Sequence, residues 1–124
     1  MDQTQEEIRL VKDHIILNVM VMILPHEIKT LQNSGFKMGH IYTQSIDNAH
    51  KDVINKLTKN RIALRKSQMK ILDLKITKGK AEAQYMCRGY QHEMTLLGDL
   101  LKAETEIRLA KYLGIEIYND DIEI

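Results

Sequence analysis

His40 to Thr77 reads HIYTQSIDNAHKDVINKLTKNRIALRKSQMKILDLKIT, a run of thirty-eight residues with no proline or glycine. Within it Ile46, His50, Val53, Leu57, Asn60, Leu64, Ser67, Ile71 and Leu74 succeed one another in unbroken steps of four and three. That spacing is heptad-like, and it predicts one helix from residue 40 to about 78 that keeps a single stripe on its neighbour for roughly 50 Å. His50, Asn60 and Ser67 interrupt the stripe. Polar side chains at seam positions favour one alignment, because any other buries their hydrogen-bonding groups unpaired.

On the N-terminal side, Thr4-Gln5-Glu6-Glu7 fits a capping box that opens a first helix. Ile8, Val11, Ile15, Val19 and Met22 recur at helical steps, and Ile16, Leu17, Met20, Val21, Ile23 and Leu24 make the second half apolar all round. Pro25 should kink that helix before it ends near Leu31, with Asn33-Ser34-Gly35 as the loop. On the C-terminal side, Thr77-Lys78-Gly79-Lys80 reads as a turn. Ala83, Cys87, Tyr90, Met94, Leu97 and Leu101, extended by Leu100, Ile107, Leu109 and Leu113, then read as a third long helix ending at Gly114. Gly89 and Gly98 inside it would mark close helix approaches. Short loops favour antiparallel neighbours. The expected fold is therefore all-α, an antiparallel up-down-up three-helix bundle forming a single domain over 1–124, with 115–124 as an extended or disordered tail.

The composition suits an ordinary globular domain: 124 residues, 44% apolar and 28% charged. Cys87 stands alone, so no intrachain disulfide is possible, and a packed thiol in a reducing cytoplasm is the expectation. The densest apolar run, Ile15–Leu24, is half the length of a membrane span, which predicts no membrane partner. Three long rods leave much surface open, and a homodimer would bury more of it.

Charge is distributed unevenly around a net value of +1. From Lys37 to Lys80 there are eleven Lys or Arg residues against three Asp, whereas the last eleven residues hold four acids and no base. Lys59, Arg61, Arg65, Lys66 and Lys70 are the candidate phosphate contacts of a basic helix 40–78. Aromatic residues fall mostly outside that strip, and a solvated helix face explains the same residues.

Templates for chemistry are scarce. The five histidines include no i, i+4 pair and no HExxH, Asp47 and His50 supply at most half a metal site, and glycine loops and nucleophile elbows are missing. No catalytic residue, metal site or cofactor is assigned. In the antiparallel bundle, however, Asn18, His50, Glu104 and Arg108 fall at one height. They are expected to form a partly buried polar cluster that sets register, with a pH-sensing or ligand role as the alternative.

Tyr85-Met86-Cys87-Arg88-Gly89-Tyr90-Gln91-His92, followed by Met94-Thr95-Leu96-Leu97, resembles a family of short, uncharacterised helical proteins of spore-forming bacilli. The resemblance implies a bacterial cytoplasmic protein and carries over no activity, cofactor or catalytic residue. The expected function is that of a non-enzymatic interaction or regulatory protein that self-associates and meets an unidentified protein partner. The alternatives are a nucleic-acid-associated protein using helix 40–78, or a bundle that binds a small ligand or metal.

Overall fold

A computed structural model describes residues 3–117, and its fold is α+β. The order is α1 (Gln5–Gln32), α2 (Gly39–Lys66), β1 (Met69–Ile76), β2 (Lys80–Cys87), β3 (Tyr90–Leu97) and α3 (Gly98–Tyr112). The strands form one antiparallel sheet in the order β1-β2-β3. This corrects the expectation of an all-α helical bundle with three long rods. Residues 69–97 are sheet, α2 ends at Lys66 instead of near 78, and the third helix begins at Gly98.

Two features of the chain make strand sequence imitate helix sequence. Ile71 pairs with Tyr85 and Asp73 with Gln84, which leaves Leu72 as the extra residue of a β-bulge. A bulge resets the inward phase, so Ile71 and Leu74, three apart, both pack on the core. In addition, Cys87 pairs with Tyr90 across a two-residue turn in which Arg88 and Gly89 have φ of +49° and +85°. Both values lie in the left-handed region, as a primed hairpin turn requires. Strand periodicity then supplies the four-residue steps Ala83–Cys87 and Tyr90–Met94, and the turn supplies the three-residue step between them. At the α2–β1 junction Gln68 takes φ +58° without a glycine to announce it.

α1 starts at the capping box read from the sequence. Thr4 accepts from the Glu7 N–H at 3.1 Å, and the Thr4 N–H donates to Glu7 Oε1 at 2.7 Å. Its apolar circumference is used on three sides, because α2, the inner face of the sheet and α3 all pack against it. Val11, Ile15, Ile16, Leu17, Val19, Met20 and Leu24 are buried there with Val53, Leu57, Leu64, Met69, Ala83, Tyr85 and Leu101 in one core. The outer face of the sheet carries Lys75, Glu82 and Thr95 in one cross-strand row and Asp73, Gln84 and Glu93 in the next, the alternation of a sheet solvated on one side. The sheet covers α1, whereas Ile54 and Ile62 of α2 and Ile107 of α3 remain exposed.

α1 and α2 are antiparallel, with Leu31 beside Gly39 at one end and His14 bonded to Asn60 towards the other. His14 Nδ1 lies 3.0 Å from Asn60 Oδ1, and Asn60 Nδ2 donates to Leu10 O at 2.9 Å. Gly114, at φ +71°, closes α3 in a Schellman arrangement: Ile115 N–H donates to Ala110 O at 2.8 Å and Gly114 N–H to Lys111 O. Residues 115–117 have no regular structure, and the rest of the expected tail lies outside the described residues.

Candidate ligand-binding cavity

α3 runs back along α1 and is fastened at both ends. Its first residue donates from Gly98 N–H to Gly79 O at 2.9 Å, and a Cβ on Gly98 would stand 3.3 Å from that oxygen. Towards its other end, Arg108 reaches Asp13 Oδ1 at 2.6 Å and Glu104 at 3.7 Å, and Lys12 reaches Glu104 at 3.4 Å. Between these attachments α3, the second half of α1 and the β1–β2 turn do not close on each other. They leave an open-sided cavity of about 620 Å³, within the 300–1,000 Å³ range of small-molecule sites. Leu24, Leu31, Ile46, Ile76, Leu101 and Leu109 form its apolar wall, with Glu27, Lys78, Lys102 and Glu106 also lining it. None of these four charges forms an ion pair among the described residues.

One polar side chain of the wall stands out by comparison with its equivalents. A threonine within a helix usually returns its hydroxyl to a carbonyl of the preceding turn. Thr30 does so to His26 O, Thr58 to Ile54 O and Thr43 to His40 O, each at 3.1 Å. Thr105, which lines the cavity, has a buried hydroxyl with no hydrogen-bond partner. An unmade hydrogen bond of this kind costs about 1–3 kcal/mol. A ligand with a polar group beside Thr105 would remove that cost while its apolar body covered the leucines and isoleucines.

The polar cluster expected from the sequence is only partly assembled. Glu104 and Arg108 pair across one helical turn, but their partners are Lys12 and Asp13 of α1. Asn18 instead donates to His14 O of its own helix at 2.8 Å. His50 makes no hydrogen bond to Glu104 or Arg108, and its Nε2 is buried without a partner. The network that does form clamps α3 to α1. It therefore positions one wall of the cavity.

The five candidate phosphate contacts do not share one helix. Lys59, Arg61, Arg65 and Lys66 lie on the last turns of α2, while Lys70 lies on β1 beyond the Gln68 reversal. All five are exposed, and none forms an ion pair among the described residues.

A second polar group ties the start of α1 to the β2–β3 hairpin. Arg88 pairs with the buried Glu7, and Tyr85 donates to Gln3 Oε1 at 2.7 Å while its ring stacks on His92 at 5.5 Å. The Arg88 guanidinium, with the Thr4 N–H, holds the Glu7 carboxyl down to about 2. Cys87 is buried next to this pair. Burial pushes its thiol up and the Glu7 charge adds to the effect, so it is poorly suited to act as a nucleophile. Among the described residues no three His, Cys, Asp or Glu side chains are grouped to hold a metal.

Sequence reading missed Thr105. The signal available was a hydroxyl at the centre of the apolar step Leu101–Thr105–Leu109. Fold and cavity together define a small α+β domain in which a helical hairpin, the β1–β2 turn of a three-stranded sheet and a returning helix border an open-sided, largely apolar cavity. The chain belongs to the YhjD protein family, which matches it over residues 2–117. No curated protein and no solved structure matches it. Among the described residues no helix is long and apolar enough to cross a membrane.

Proposed function

We propose that this protein is a non-catalytic binding protein that holds one small amphiphile in the cavity between α1, α3 and the β1–β2 turn. The reading is carried by the unbonded Thr105 hydroxyl, set between Leu101 and Leu109 in the cavity wall. The ligand's apolar body fills the space beside Leu101, Ile46 and Leu109, and a carboxyl or hydroxyl group meets Thr105. Because α3 forms one wall of the cavity, occupancy can alter how it sits on α1, and that coupling would give the protein a regulatory output. We place it in the cytoplasm of spore-forming bacilli. The Tyr85–His92 resemblance and the single cysteine support that assignment.

Displacement of a solvatochromic apolar dye by a medium-chain fatty acid tests the proposal. One saturable site per chain is expected. Met22 lines the cavity yet is half exposed, so Met22→Trp takes up its volume without disturbing the core. That variant should bind about tenfold more weakly, a change of about 1.4 kcal/mol. Absence of saturable binding, or an affinity indifferent to Met22→Trp, would overturn the reading.

A further inference from the structure

We infer that the tip of the α1–α2 hairpin docks on an anionic phospholipid surface. No residue from 25 to 48 is buried, and the hairpin tip between Leu31 and Ile46, the last residues there to line the cavity, extends past the core. Its apolar side chains need reach only the 5–10 Å depth at which interfacial segments lie. At the end of the projection Phe36, Met38, Ile41 and Tyr42 expose 60%, 58%, 55% and 46% of their surfaces. Phe36 and Tyr42 meet edge to face at 6.0 Å. From Ile28 to Ile46 the chain carries Lys29 and Lys37 and no Asp or Glu.

Apolar and aromatic side chains flanked by lysines match the boundary between headgroups and acyl chains, where rings sit at headgroup level and ammonium groups reach phosphates. A second copy of this chain is a poorer occupant. Two such tips would bring together Lys29 and Lys37 of each copy, with Glu27 and Asp47 set back at the base of the hairpin, and like charges at a contact disfavour it. The sequence expectation of no membrane partner concerned spanning segments, and a docked tip crosses nothing. Leu31 and Ile46 belong both to the projection and to the cavity wall. Docking would thus set the cavity beside the bilayer, although the surface contact requires no ligand in it.

Co-sedimentation with phosphatidylcholine vesicles, with and without phosphatidylserine, tests the inference on the full chain. Binding is expected only with phosphatidylserine and should weaken as salt rises. Lys29→Gln with Lys37→Gln should lower the partition coefficient by roughly 30-fold, from about 1 kcal/mol per cation. Phe36→Ser with Ile41→Ser should abolish binding, and Lys59→Gln with Lys66→Gln at the far end of α2 should leave it unchanged. The tip positions are exposed, so circular dichroism should report an unaltered fold. Failure to bind phosphatidylserine vesicles, equal binding to both vesicle types, or binding that survives Phe36→Ser with Ile41→Ser overturns the inference. So does light scattering in which that same pair converts a dimer into a monomer.

Discussion

Replacing Thr105 by valine exchanges a hydroxyl for a methyl group at nearly constant shape. In most helical threonines this removes a hydrogen bond. At Thr105 it removes a buried donor that has no partner. An unsatisfied buried group costs about 1–3 kcal/mol, so Thr105→Val should stabilise the unliganded protein by about 1 kcal/mol, the low end of that range. For a domain of this size that is a rise in Tm of about 3–5 °C, measurable by calorimetry. Thr58→Val is the control, because the Thr58 hydroxyl is exposed and already donates to Ile54 O; its Tm should not rise and should move by less than about 2 °C. Fatty-acid affinity should change in the opposite sense to stability, falling about fivefold for the loss of a hydrogen bond worth about 1 kcal/mol. A lower Tm for Thr105→Val, or a fatty-acid affinity equal to that of the parent, would refute the reasoning.

Four further outcomes follow from the fold. Glu7 is held at about 2 in the folded chain against an ordinary 4.5, so its contribution is complete above 4.5 and is lost as pH falls from there towards 2. Glu7→Gln should lower stability at neutral pH and flatten the acid limb of a Tm-against-pH curve. Burial keeps His14 below its ordinary 6.5, so below 6.5 the unfolded chain takes up that proton more readily and stability declines; ring titration by NMR should place its midpoint under 6.5. Asn60→Ala strands the buried His14 ring nitrogen and should cost about 2 kcal/mol in urea denaturation. Gly89→Ala places a Cβ at φ +85° and should cost about 1 kcal/mol in the same assay.

What could be read from the chain was local. The Thr4–Glu7 capping box, the loop after α1 and the end of α3 at Gly114 all announce themselves in residue type, because each depends on a few neighbouring backbone groups. The sheet was hidden by its own irregularities. The Leu72 bulge turned a two-residue period into a three-residue step, and an Arg-Gly turn lacked the usual Asn-Gly or Asp-Gly signature. Glu104 and Arg108 were legible as a pair one helical turn apart. Their partners were not, since the position of α3 on α1 depends on the twenty-nine residues of hairpin and sheet between Met69 and Leu97. The cavity was out of reach for the same reason: one of its walls is the β1–β2 turn.

The measurement closest to the central claim is a methyl-labelled NMR titration of the chain with a medium-chain fatty acid. Saturation at one ligand per chain, with shifts concentrated on Ile46, Leu101, Leu109 and the Thr105 methyl and little change at Val11 or Leu64, is the predicted result. Shifts confined to Ile41 and Met38 on the hairpin tip, or a response that grows linearly without saturating, would contradict an amphiphile held between α1 and α3.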